Sequence, residues 1–228
     1  MCTRYIAPDT FAVERHWHVA RQPPWLGVEE PVDVFPGYQG SFIRAAGLDA
    51  SNDETDPPLP ELVSGQWNLI PWFATTAKLK FTTCNARSEE MASKASYKLP
   101  WARGQRCIIP ASVFFEPNWE TGKHVRWRFK RSDGTPWGLA GLWNTWVDKT
   151  SGEIVESYTM LTLNADAHPL MNRMHKPDPK LAANAQDKRS VVPIEMADVN
   201  TWLYGSQAEA KGLIRLTDVG GFEAGVDR

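Results

Sequence analysis

Cysteine is scarce in this sequence: Cys2, Cys84 and Cys107 are the three it holds among 228 residues. An odd, widely spaced set excludes a disulfide framework, and without a CxxC pair no zinc site is implied. Neither sign of charge is in excess, since 25 Lys and Arg face 27 Asp and Glu. No global field therefore draws the molecule to a polyanion, and any nucleic-acid contact must come from a local patch. Missing too are an apolar run of membrane-spanning length and a signal-peptide pattern. The expectation is a soluble protein of a reducing compartment with no membrane partner. No strand runs through a glycine-rich turn into a helix, which excludes a nucleotide-binding α/β unit, and there are no repeats. No metal or cofactor is implied.

What is present is enough apolar material, 42% of residues, for one large domain or two small ones. Eleven tryptophans supply candidates for stacking surfaces as well as for a core. Charge is unevenly spread. From Gly27 to Glu61 eight acidic residues stand against one arginine, and from Lys78 to Arg106 seven basic residues against two glutamates. These are either two solvated faces or a basic groove with an acidic flank.

The pattern predicts a helix capped at Asp9 and running to His18, then a loop from Arg21 to Gly40 punctuated by four prolines. Strands follow at Ser41–Ala46 and Glu61–Leu69, separated by a flexible acidic loop over about 49–60. Ser88–Tyr97 reads as a helix, with Glu89 and Glu90 at its positive end. Arg106–Ile109 and Val113–Glu116 read as short buried strands. His124–Lys130, Trp137–Val147 and Ile154–Leu163, joined by glycine turns, read as an antiparallel meander. A helical turn at Ala167–Met174, a strand at Val191–Ile194, helices at Asp198–Tyr204 and Gln207–Leu213, and a frayed tail over 218–228 complete the chain. The fold class is α+β, a strand-rich, barrel-like antiparallel core with peripheral helices.

Four places carry chemistry. If Met1 is removed, Cys2 presents an α-amine and a thiol on neighbouring atoms, both partly reactive near neutrality. The amine condenses with an aldehyde to an imine, and the thiol closes on it to a thiazolidine. In Asn85-Ala86-Arg87, Asn85 both donates and accepts, and Arg87 matches a phosphate bidentately; the same residues equally suit an ordinary capped helix start. Glu116 follows two phenylalanines in an apolar strand. Turned inward, it suits a general acid or base, or a partner for an N-terminal ammonium; turned outward, it is an exposed strand end. His175 follows an apolar helical turn and suits proton transfer, although a lone histidine is also commonly structural.

Taken together, these segments resemble the SOS-response-associated peptidase (SRAP) family. The resemblance runs through the Met-Cys start, Trp67–Trp72, Asn85–Glu89, Arg106–Ala111, Phe115-Glu116, Ala140–Trp143, Thr162–His175 and Arg189–Pro193. It implies one SRAP-like domain over residues 1–228. It also implies covalent capture of abasic sites in single-stranded DNA during the DNA-damage (SOS) response, by a monomer at the cytoplasmic nucleoid. On that resemblance Cys2 is the nucleophile and Asn85 positions the captured sugar or the chain start. Glu116 is the carboxylate beside the Cys2 amine, and His175 assists ring opening. Arg4, Arg87 and Arg189 become phosphate contacts, and Trp67 and Trp72 candidates for stacking on a base. The sequence departs from the family at Thr3 and Asn68, where Gly is usual, at Pro117, where Trp is common, and by an insertion at about 178–187. These departures bear on the DNA path rather than on the reacting groups. Two other readings stay open: an N-terminal-cysteine peptidase using the same residues, and a non-enzymatic single-stranded nucleic-acid-binding module.

Overall fold

Alternating side chains and turn residues build this chain mostly from antiparallel strands. The computed structural model describes residues 1–21, 32–46 and 59–227. In chain order, β1 (Tyr5–Ala7) leads into α1 (Thr10–Trp17), which the Asp9 carboxylate caps by accepting the Ala12 N–H at 2.8 Å. Then come β2 (Ala20–Arg21), β3 (Val32–Val34), β4 (Gln39–Arg44), β5 (Glu61–Trp67), β6 (Asn85–Arg87) and α2 (Lys98–Ala102). The middle of the chain holds β7 (Arg106–Ala111), β8 (Val113–Asn118), β9 (Val125–Arg131), β10 (Trp137–Val147) and β11 (Ile154–Asn164). β12 (Arg189–Val191), α3 (Val199–Tyr204), α4 (Gln207–Gly212) and β13 (Phe222–Val226) follow.

The larger sheet runs β12-β11-β10-β7-β4-β5-β2 and curls until β11 meets β5 in parallel, Ser157 opposite Gln66 and Tyr158 opposite Trp67. That contact closes β5, β4, β7, β10 and β11 into a barrel, the α+β architecture expected from the sequence. Closure brings Tyr158 to Tyr5, their hydroxyls 2.5 Å apart in the core. Gly40 is required beside them, because a Cβ there would collide with the Tyr158 hydroxyl.

The second sheet runs β13-β9-β8-β1-β3. Its arrangement places the start of the chain between two walls. β1 pairs with β3 on one side and β8 on the other, Tyr5 opposite both Val34 and Phe114. The first residues therefore enter the molecule beside Glu116 instead of trailing in solvent.

Four expectations are corrected. The three-strand meander is divided between the sheets: β10 and β11 form a hairpin, but β9 pairs with β8 and β13. Pro136, with no N–H to extend a ladder, and the Asp133 carboxylate, which accepts the Thr135 N–H at 2.9 Å, turn the chain from one sheet to the other. The region read as loop up to Gly40 contains β3 and the start of β4, since pairing with β1 satisfies a segment that local sequence leaves undecided; residues 22–31 lie outside the described residues. Residues 88–97 are successive turns rather than a helix, with helical structure beginning at Lys98. Glu89 does not serve a helix start; it accepts from the Asn164 N–H at 2.9 Å and pairs with Arg189. The expected frayed tail is β13, ordered by pairing with β9. Residues 49–58 of the acidic loop lie outside the described residues.

Candidate active site at the chain start

Cys2 is fully buried, and its thiol donates to the Arg4 carbonyl at 3.3 Å. Burial pushes the thiol well above its ordinary range, and the nearby Glu116 carboxylate adds to the rise. The sulfur therefore stays protonated near neutrality. β8 carries Glu116, whose register turns it inward, with 1% exposure. Its Oε2 lies 2.7 Å from His175 Nε2 and 3.6 Å from the Met1 amine. The same Nε2 is in hydrogen-bond contact with the Met1 amine.

These contacts constrain the protons. A ring nitrogen that donates to Glu116 has no lone pair left to accept from the chain-start amine, which then faces the same Glu116 oxygen. Nε2 carries either one hydrogen or one lone pair, so it serves its two neighbours in turn as donor or acceptor. Amine, imidazole and carboxylate can exchange a proton with almost no movement of heavy atoms.

β6 supplies the opposite side. Asn85 Nδ2 donates to the Cys2 carbonyl at 2.7 Å and to the Cys84 sulfur at 3.2 Å. The Tyr97 hydroxyl donates to the Asn85 carbonyl at 3.1 Å. Met1, Cys84, Asn85, Arg87, Lys94 and Tyr97 border a cavity of about 180 Å³ at the chain start. Asn85 Oδ1, Glu116 Oε1 and His175 Nδ1 are buried with no hydrogen-bond partner among the described residues. Such atoms are costly to leave without a partner. No group of three or more metal-ligating side chains occurs among the described residues.

Cys2, Asn85, Glu116 and His175 thus converge, while the other candidates scatter. Arg87 is 43% exposed at the cavity rim, where it pairs with Asp187 and with Glu90 at 3.6 Å. Trp72 is 61% exposed, edge-on to Phe73. Two expectations, Trp67 and Arg189, fail on burial. Trp67 is fully buried, donating to the Cys84 carbonyl at 2.8 Å and packing edge-on to Tyr5, so no face is open to a base. Arg189 is buried between Glu89 and Asp187 and also donates to the Thr162 carbonyl at 2.8 Å; it is a strut, not a phosphate contact. Arg4, 22% exposed, pairs with Asp33 at 2.7 and 2.8 Å, with its guanidinium 4.1 Å above the Phe115 ring. Sequence reading missed Cys84, Tyr97 and Lys94. The adjacency of Cys84 to Asn85 was the one local signal; the other two reach the cavity only through the turns of 88–97.

The family described as SOS response associated peptidase (SRAP) matches residues 1–222, and the chain belongs to it. The chain is 32% identical over 168 residues to the abasic site processing protein HMCES of Gallus gallus, covering 64% of this chain and 50% of that one. It is 27% identical over 143 residues to the abasic site processing protein YoqW of Bacillus subtilis, covering 62% and 61%. The matches thus span about half to three-fifths of those relatives' lengths. A crystal structure of a Bordetella bronchiseptica protein superimposes with a TM-score of 0.82 at 32% identity, over 100% of both chains. Among the described residues, no helix is long and apolar enough to cross a membrane.

Proposed function

We propose that this chain captures abasic sites in single-stranded DNA as a covalent adduct, after removal of Met1, through a thiazolidine formed by Cys2. One observation carries the reading: the amine at the chain start touches both the Glu116 carboxylate and the His175 imidazole, while the Asn85 amide holds the carbonyl of the adjacent, buried Cys2. His175 moves a proton that opens the closed sugar and exposes its aldehyde. Glu116 takes a proton from the Cys2 amine, which attacks the aldehyde carbon; loss of one water gives the imine. The Cys2 sulfur then adds to the imine carbon, and its proton passes to nitrogen. Asn85 holds the Cys2 carbonyl and so fixes the direction of attack. Holding the reactants together replaces a bimolecular encounter, which lowers the entropic part of the barrier. Arg87, at the rim, contacts phosphate, and Trp72 stacks on a base. The protein acts as a monomer at the nucleoid in the DNA-damage (SOS) response. The names of the matched relatives support this substrate class.

Incubation with an abasic oligonucleotide is expected to give a heat-stable adduct by mass spectrometry that Cys2→Ala abolishes. An adduct surviving Cys2→Ala would overturn the chemistry, and reversible binding alone would favour a nucleic-acid-binding module. A second reading draws on the contact of the Met1 amine with Glu116 and His175. The same groups stand beside the Met1–Cys2 bond, as self-processing by an N-terminal-cysteine peptidase requires. Mass measurement of the N-terminus decides it: Glu116→Ala protein is expected to retain Met1 while the wild type loses it.

A further inference from the structure

His175 poses a problem of orientation. A working histidine is commonly held by a hydrogen bond on the ring nitrogen opposite the reacting one. Here Nδ1 is buried and bonded to nothing among the described residues, while Nε2 faces Glu116 and the chain start. The ring's direction therefore rests on the Nε2 contact with Glu116 and on the backbone that carries it. That backbone is itself unfavourable: His175 has φ 62°, a left-handed conformation that costs a non-glycine residue about 1 kcal/mol.

Two contacts hold it there. The His175 N–H donates to the Pro117 carbonyl at 2.7 Å, tying the turn to β8 just beyond Glu116. The Lys188 ammonium donates to the Met174 carbonyl at 2.8 Å and to the His175 carbonyl at 2.6 Å. Lys188 is only 6% exposed; burial disfavours its charge, and the Asp166 carboxylate offsets that in part. A cation placed so is expensive unless its bonds are needed. Its own position is fixed: its N–H donates to Asp166 Oδ1 at 2.8 Å, and its carbonyl accepts from the Ala165 N–H at 2.7 Å. The segment between the two residues also ends on a left-handed residue, Asp187 at φ 53°, so it leaves and rejoins the fold through constrained turns.

We propose that Lys188 is a positioning residue for His175, bridging the two carbonyls around it so that the imidazole is held against Glu116 and the chain start. This rests on the capture reading only through the rate measurement below. Lys188→Met keeps the stem and removes the donors. Adduct formation with an abasic oligonucleotide is measured under single-turnover conditions for this variant, alone and combined with His175→Ala. The imidazole Cε1–Hε1 signals are recorded by NMR on the same samples. The expected result is a slowing of about tenfold or more in the wild-type background but less than about twofold in the His175→Ala background. The His175 signal is expected to shift or broaden while that of His16 stays in place. Equal slowing in both backgrounds, or an unmoved His175 signal, would overturn the proposal. If the wild type forms no adduct, the capture reading fails and the NMR comparison alone decides the role of Lys188. Should Lys188→Met not fold, Lys188→Gln carries the same two measurements.

Discussion

Trp67 and Trp72 stand at the two ends of one six-residue stretch, and the fold treats them oppositely. Trp67 closes β5, wholly buried, with its indole N–H on the Cys84 carbonyl. Trp72 lies outside the barrel, 61% exposed. Arg87 and Arg189 repeat the contrast. Both pair with Asp187, yet Arg189 is sealed at 6% side-chain exposure and Arg87 stands at 43%. A side chain's chemistry sets what it can contact. Burial decides whether it spends that capacity on its own protein or keeps it for a partner.

The contrast can be broken at each member. The largest effect is expected at Trp67, where truncation to Ala should cost about 3–5 kcal/mol of unfolding free energy, read from urea denaturation. Arg189→Met should cost about 2–3 kcal/mol, less than a fully buried pair because Glu89 remains 40% exposed. Trp72→Ala should leave stability within about 0.5 kcal/mol. It should weaken binding of a single-stranded oligonucleotide carrying a stable abasic analogue by about 1–3 kcal/mol, measured by fluorescence anisotropy. Equal behaviour of the two tryptophans in both assays would end the distinction. Arg87→Ala should have the smallest effect, lowering the slope of log affinity against log salt by about 0.7 for a single strand.

Burial also sets a pH limit on the interior. Cys2, Cys107, Tyr5 and Tyr158 are all held above their ordinary values, desolvation being the main cause. Their neutral forms are favoured in the folded state, so this stabilisation is complete below the unfolded values, about 8.5 for thiols and about 10 for phenols. It is lost as pH rises beyond them. The urea midpoint is expected to hold up to about pH 8 and fall between about pH 9 and 11; a midpoint rising over that range would contradict it.

Much of the fold was legible because its signals are local. Asp9 caps α1, and Gly152, at φ 76°, turns β10 into β11, both as turn and cap chemistry dictate. The reacting groups stood out by contrast with their neighbours: a carboxylate after two phenylalanines, a cysteine next to a terminal methionine. Other features were invisible because they depend on partners distant in sequence. The turns of 88–97 follow from Glu89 serving Arg189 one hundred residues on. The order of the tail follows from β9, and the assignment of Trp67 to the core follows from closure of the barrel on β11.

The amino-acid order by itself determined the strands, the turns and the kinds of chemistry available, since propensity, capping and reactivity reside in single residues and their near neighbours. Only the tertiary structure decided which tryptophan and which arginine remain exposed, which way Glu116 faces, and that a lysine thirteen residues beyond His175 reaches back to its carbonyl. Burial and long-range pairing are properties of the assembled barrel, and no short window of sequence contains them.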